Sequence, residues 1–204
     1  MNFIKKLFGI KKTGEEVYSG NFIIATLNDK VMPIDRGEIY EDPLDEFLQM
    51  NGIGEVTGGG TMQLKSGELE YCDVEIQLNS DEVNDGQIKA IIEKLQELGA
   101  PKGSKLIIEK TEQEIEFGEK EGLGIYLDGI NLSDEVYKSS DSEVLAIEIR
   151  RLAGIKDSTL RYWQGNTETG LYFYGDSFEH IKNSIADFVS AHPECENCRI
   201  EQVA

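Results

Sequence analysis

Hydrophobic and polar positions alternate with a period of two from Tyr71 to Leu78. Cys72, Val74, Ile76 and Leu78 fall on one side, and Asp73, Glu75 and Gln77 on the other. Such a run predicts a strand with one buried and one wet face. The pattern then changes to helical spacing: Ile88, Ile91, Ile92, Leu95 and Leu98 form one stripe. Asp85 is a candidate cap for this helix, and Gly99 with Pro101 ends it. A second helix follows Ser140-Asp141-Ser142-Glu143, a capping-box sequence, and carries Leu145, Ile149 and Leu152 as far as Gly154. A third starts near Ser177, buries Phe178, Ile181, Ile185 and Phe188, and stops before Pro193. Each stripe is narrow, so each helix covers a sheet on one side only.

Between the helices the pattern predicts strands near 105–110, 122–128, 159–164, 170–175 and 198–203. With 71–78 they give the order β-α-β-β-α-β-β-α-β, which contains ferredoxin-like β-α-β-β-α-β units. Right-handed crossovers then place the helices on one face of a mainly antiparallel sheet, an α+β two-layer sandwich. A partial internal repeat accompanies this order. Leu98, Lys102, Ser104 and Leu106 match Leu152, Lys156, Ser158 and Leu160, while Gly122, Leu123, Tyr126 and Asp128 match Gly170, Leu171, Tyr174 and Asp176.

Residues 1–12 read as a basic amphipathic segment with four Lys and no acid. Residues 13–69 read as an N-terminal extension with a strand at 22–27, a short helix opened by Asp42-Pro43, and a glycine-rich hairpin. Residues 70–204 read as the ferredoxin-like core, continuous with that extension because no Pro- or Ser-rich linker divides them.

Charge narrows the function classes. Against 20 Lys and Arg stand 39 Asp and Glu, a formal net charge of −19. That field repels nucleic-acid phosphates and acidic membranes, and no apolar run approaches the roughly 20 residues of a spanning helix. With three Cys and no export signal, the expected compartment is the cytoplasm.

Candidate chemistry is sparse. Gly58, Gly59 and Gly60 could line a ligand loop, yet neither the Lys nor the helix of a phosphate loop follows them. His192, Cys195 and Cys198 in HPECENC have zinc-like or redox spacing, with Cys72 as a distant fourth ligand or a core residue. Asp73 and Glu75 point outward, where nothing would raise their pKa values. The two histidines, His180 and His192, sit in no nucleophile motif, so no catalytic residue and no cofactor is assigned. Tyr162, Trp163, Tyr172, Phe173 and Tyr174 crowd two adjacent strands, and alternation leaves one set for an open sheet face.

RGEIYEDPLDEFL (36–48), GEVTGGGT (54–61), GELEYCDVEI (67–76) and LGAPKGSKL (98–106) resemble segments of a family of small bacterial proteins associated with immunity proteins of polymorphic toxin systems. The resemblance carries over no catalytic residue. It implies a cytoplasmic bacterial protein that neutralises a toxin by binding it. An acidic binder would be steered toward a basic partner, with Glu109, Glu112, Glu114 and Glu116, the Asp73 and Glu75 face, and Trp163 and Tyr172 as contact candidates. The alternative is a small-molecule-binding or catalytic domain that uses the glycine-rich loop and the open sheet face.

Overall fold

The computed structural model describes residues 21–80 and 82–204. The basic segment 1–12 and the start of the predicted extension lie outside them. The fold is α+β, with two antiparallel sheets that each carry helices on one face.

The first sheet has five strands in the order β2-β3-β1-β4-β5. They are β1 (Asn21–Leu27), β2 (Gly54–Gln63), β3 (Leu69–Leu78), β4 (Ser104–Ile108) and β5 (Gln113–Phe117). Helices α1 (Pro33–Arg36) and α2 (Asp42–Met50) connect β1 to β2, and α3 (Asp85–Glu97) connects β3 to β4. The second sheet has the order β7-β8-β6-β9, built from β6 (Glu121–Asp128), β7 (Arg161–Gln164), β8 (Glu168–Gly175) and β9 (Arg199–Gln202). Its helices are α4 (Asp134–Ser139), α5 (Ser142–Ala153) and α6 (Phe178–Ala191). Taken without β5, both sheets show the ferredoxin-like permutation, in which the third strand pairs with the first and the fourth closes on the first's other side.

Each half has its own core. Ile23, Ala25, Val74, Ile76 and Leu106 meet Leu44, Leu48, Ile91 and Leu95 in the first. Leu123, Ile125, Leu171 and Phe173 meet Leu145, Ile149, Ile181 and Ile185 in the second. The sheet boundary therefore falls between Phe117 and Glu121, not near residue 70. β1 and β2 are integral to the first sheet, and β1 is its central strand. The sequence obscures this because Gln113–Phe117 looks like an acidic loop. In fact only alternate residues are acidic, and Ile115 and Phe117 face the core.

Local corrections have equally local causes. Asn84, not Asp85, caps α3, and it forms a capping box with Gln87. Asp42 is not a cap, because α1 runs into α2 through a π-helical turn (Gly37–Glu41). That turn shifts the hydrogen-bond register just before Pro43, which has no N–H to donate. Ser177 does cap α6, but α5 has no Ser140–Glu143 capping box: Asp141 is its cap, and its carboxylate accepts from the Glu143 and Val144 amides.

The matches that mark the internal repeat join non-equivalent elements. Gly122–Asp128 is the first strand of the second half, and Gly170–Asp176 covers the end of its third. The similarity comes from pairing: Gly122 lies opposite Tyr174, Gly124 opposite Tyr172, and Tyr126 opposite Gly170. A Cβ at Gly122 or Gly170 would collide with the Tyr174 or Tyr172 ring, so glycine lets the tyrosines lie across the sheet.

Candidate protein-interaction face

The two sheets use their helix-free faces differently. That of the second sheet is covered by the first half. Tyr126, Tyr172 and Tyr174 are buried there, with Trp163, Val203 and Ala204 packed around them. Tyr172 and Tyr126 donate hydroxyl hydrogen bonds to Glu68 at 2.9 and 3.0 Å. Lys30 donates to the same carboxylate at 2.9 Å. Burial alone would push the Glu68 carboxyl upward; Lys30 and the two hydroxyls outweigh it and hold the pKa below the ordinary value. Burial, reinforced by the charge of Glu68, pushes the Tyr126 phenol up to about 12. The Trp163 indole donates to the Ser66 carbonyl at 3.3 Å.

A buried ion pair pins the same junction. Arg161, 5% exposed, donates from Nε and a terminal nitrogen to both oxygens of Asp29, at 2.7 and 3.0 Å. Asp29, 1% exposed, also accepts the Tyr40 hydroxyl at 2.8 Å. Burial would lower the Arg161 pKa, but the Asp29 charge and hydrogen bonds raise it well above the ordinary value. Sequence reasoning missed Asp29, Lys30, Glu68 and Arg161 entirely. Their only sequence signal is charge beside strand ends, which a solvated loop also shows.

Among the described residues, no helix packs on the corresponding face of the first sheet. One row across all five strands reads Gly58, Glu75, Ile24, Ile107, Glu114; the next reads Gly60, Asp73, Thr26, Lys105, Glu116. Glu55, Gln77 and Phe22 form a third across β2, β3 and β1. Phe22, Ile24 and Ile107 are thus a half-buried apolar centre between acidic margins. The Thr26 hydroxyl donates to Asp73 at 2.6 Å, and Lys105 pairs with Glu114 at 3.0 Å.

Six sequence-predicted residues therefore converge: Asp73, Glu75, Glu114, Glu116, Gly58 and Gly60. Glu109 and Glu112 sit exposed where the chain turns from β4 into β5, with Glu112 in left-handed backbone at φ 54°. The expectation that nothing raises the Asp73 pKa is wrong. Burial raises it, more strongly than the Thr26 hydroxyl and the Arg36 charge lower it. Tyr172, expected as an exposed anchor, is 2% exposed and belongs to the junction. Trp163 is half-buried at the margin of that junction.

Gly58–Gly60 form no loop. They lie within edge strand β2, paired with Glu75, Val74 and Asp73, next to a register shift between Val56 and Gly58. A Cβ on Gly59 would run into the Asp73 carbonyl and crowd the Arg36–Glu41 ion pair. Cavities among the described residues lie elsewhere. One of about 270 Å³ is bounded by Asp128, Tyr137, Gln164 and Glu194; others flank Gly99 with Arg161, and Val83 with Ile115.

Cys72 is fully buried in the first core. The Cys195 and Cys198 thiols influence each other's ionisation in the turn that follows α6, and the buried His192 Nδ1 has no hydrogen-bond partner among the described residues. Among the described residues, no group of three or more His, Cys, Asp or Glu could hold a metal ion, and no helix is long and apolar enough to cross a membrane.

No family model and no curated protein matches the chain. Among solved structures, it is similar to a protein from Galdieria sulphuraria at 9% identity and a TM-score of 0.26, covering 90% of this chain and 96% of that one. It is also similar to the first two RRM domains of a yeast poly(U) binding protein at 15% identity and a TM-score of 0.22, covering 89% and 99%.

Proposed function

We propose that this chain is an acidic cytoplasmic protein-binding module, and that its partner is a basic protein, such as a toxin that it neutralises as an immunity protein. The observation that carries this reading is the helix-free face of the first sheet. Its apolar centre of Phe22, Ile24 and Ile107 is flanked by Asp73, Glu75, Glu114 and Glu116. An apolar centre inside a charged margin is the usual anatomy of a transient protein interface. The margin's sign favours Lys and Arg on the other side, and the net charge of −19 steers such a partner inward.

Asp73 adds a second support. Burial makes its ionised form unfavourable in the folded chain, so stability alone does not explain a carboxylate there. The ligand-site alternative loses its main premise, since Gly58–Gly60 are occupied in strand pairing.

The test is co-expression with the protein encoded beside this gene, followed by purification at low and moderate salt. A stoichiometric complex is expected, together with suppression of the neighbour's toxicity. Glu75→Lys with Glu114→Lys should weaken that complex at least tenfold. Binding that survives this double reversal with the same salt dependence would remove the sheet face from the proposal. Absence of binding at both salts would remove the partner as well.

A further inference from the structure

We propose that Cys195 and Cys198 are a reversible dithiol–disulfide site, closed by exchange with a low-molecular-weight disulfide of the glutathione class. The site does not depend on the partner-binding reading.

The backbone brings the two thiols together. Pro193–Cys195 form a short 3₁₀ turn after α6, in which the Cys195 amide donates to the His192 carbonyl at 2.9 Å. The Cys198 amide then donates to the Cys195 carbonyl at 3.1 Å. An i to i+3 turn of this kind holds its end Cα atoms within about 7 Å, close to the span a disulfide bridges. Asn197 completes the turn at φ 61°, a conformation that Asn tolerates better than most residues.

Their environments divide the roles. Cys195 is 5% exposed and packs in the second core, while Cys198 is half-buried and accessible. The neighbouring Cys195 thiol lowers the Cys198 pKa although burial opposes it. The same interaction, with burial and the adjacent negative charge, raises that of Cys195. Cys198, the more accessible of the two, is therefore the attacking thiolate. It displaces one glutathione thiolate from glutathione disulfide and forms a mixed disulfide. Cys195 then loses its proton and attacks the Cys198 sulfur, expelling the second glutathione thiolate. In balance, one protein dithiol and one glutathione disulfide give one protein disulfide and two glutathiones.

Closure would tie the 3₁₀ turn after α6 to the residue just before edge strand β9. That strand leads to Val203 and Ala204, whose backbones pair with Gly122 and which pack at the junction between the halves. Cys72, fully buried in the other core, is an internal control.

The experiment equilibrates the full chain with graded ratios of glutathione to glutathione disulfide, quenches in acid, alkylates, and reads intact mass and linked peptides. The expected product lacks two hydrogens, links Cys195 to Cys198, leaves Cys72 reduced, and reverts with excess dithiol. Cys195→Ser should accumulate one glutathionyl group at Cys198, and Cys198→Ser should form no internal disulfide. The proposal is overturned if the wild-type chain stops at the mixed disulfide, or if both thiols stay alkylatable in excess glutathione disulfide. A disulfide that involves Cys72 would overturn it too.

Discussion

Removing Arg161 should cost more than removing it together with Asp29. The guanidinium makes two charged hydrogen bonds to Asp29, and both side chains are almost entirely out of water. In Arg161→Leu, Asp29 keeps only the Tyr40 hydroxyl as a side-chain donor among the described residues. Orphaning one member of a buried pair costs about 3–5 kcal/mol. For a chain of this size, that lowers Tm by roughly 6–20 °C. In Asp29→Leu with Arg161→Leu no fully buried charge remains; the losses are the Tyr40 acceptor, about 1–2 kcal/mol, and the Arg161 partner of the half-exposed Asp157. Urea unfolding of wild type, both single variants and the double variant closes the cycle, with an expected coupling of at least about 2 kcal/mol. Two results would refute the reasoning. One is Arg161→Leu within about 1 kcal/mol of wild type; the other is a double variant equal to the sum of the singles.

Three further outcomes test the junction and the face. Because the Glu68 carboxyl is held below its ordinary pKa, its stabilisation is complete above the unfolded value of about 4.3 and fades as pH falls through the folded one. An acid titration of Glu68→Gln should therefore lose stability less steeply below that pH than wild type; parallel curves would deny Glu68 this role. The raised pKa of Asp73 has the opposite sign, since its ionised form costs stability once pH exceeds the unfolded value. Asp73→Asn should be at least as stable as wild type at neutral pH by thermal melting, while binding the partner more weakly. Gly59→Ala should destabilise by about 1–3 kcal/mol in urea unfolding, because the new methyl group meets the β3 backbone.

The strands and helices were largely legible because period-two and period-3.6 patterns arise from local burial. Tyr71–Leu78, Ile88–Leu95 and Phe178–Ile185 bury the residues their spacing selects, apart from the half-buried Ile92. What alternation does not encode is which strand pairs with which. The run through residues 105–128 reads as one long hairpin, yet β4 pairs with β5 and the chain then begins a second sheet. The faces were legible only halfway. Alternation put Tyr172 and Tyr174 opposite Phe173, as observed, but could not say that the first half would cover them. Conversely, Asp73, Glu75, Glu114 and Glu116 come from distant segments, and only the shared register of β1 and β4 sets them on one surface.

That contrast bears on function. Both sheets have a helix-free face, but one presents tyrosines and arginines and the other carboxylates around an aliphatic centre. On the tyrosine face, Lys30, Asp29 and Glu68 of the first half supply a partner for Tyr172, Arg161 and Tyr126. The carboxylate face has Lys105 as its one cation in the two central rows, already engaged by Glu114. Its surplus of negative charge is not balanced within those rows, and the apolar residues between the carboxylates gain nothing from water. A basic protein surface would supply both missing interactions at once, and added salt should weaken the charged contribution more than the apolar one.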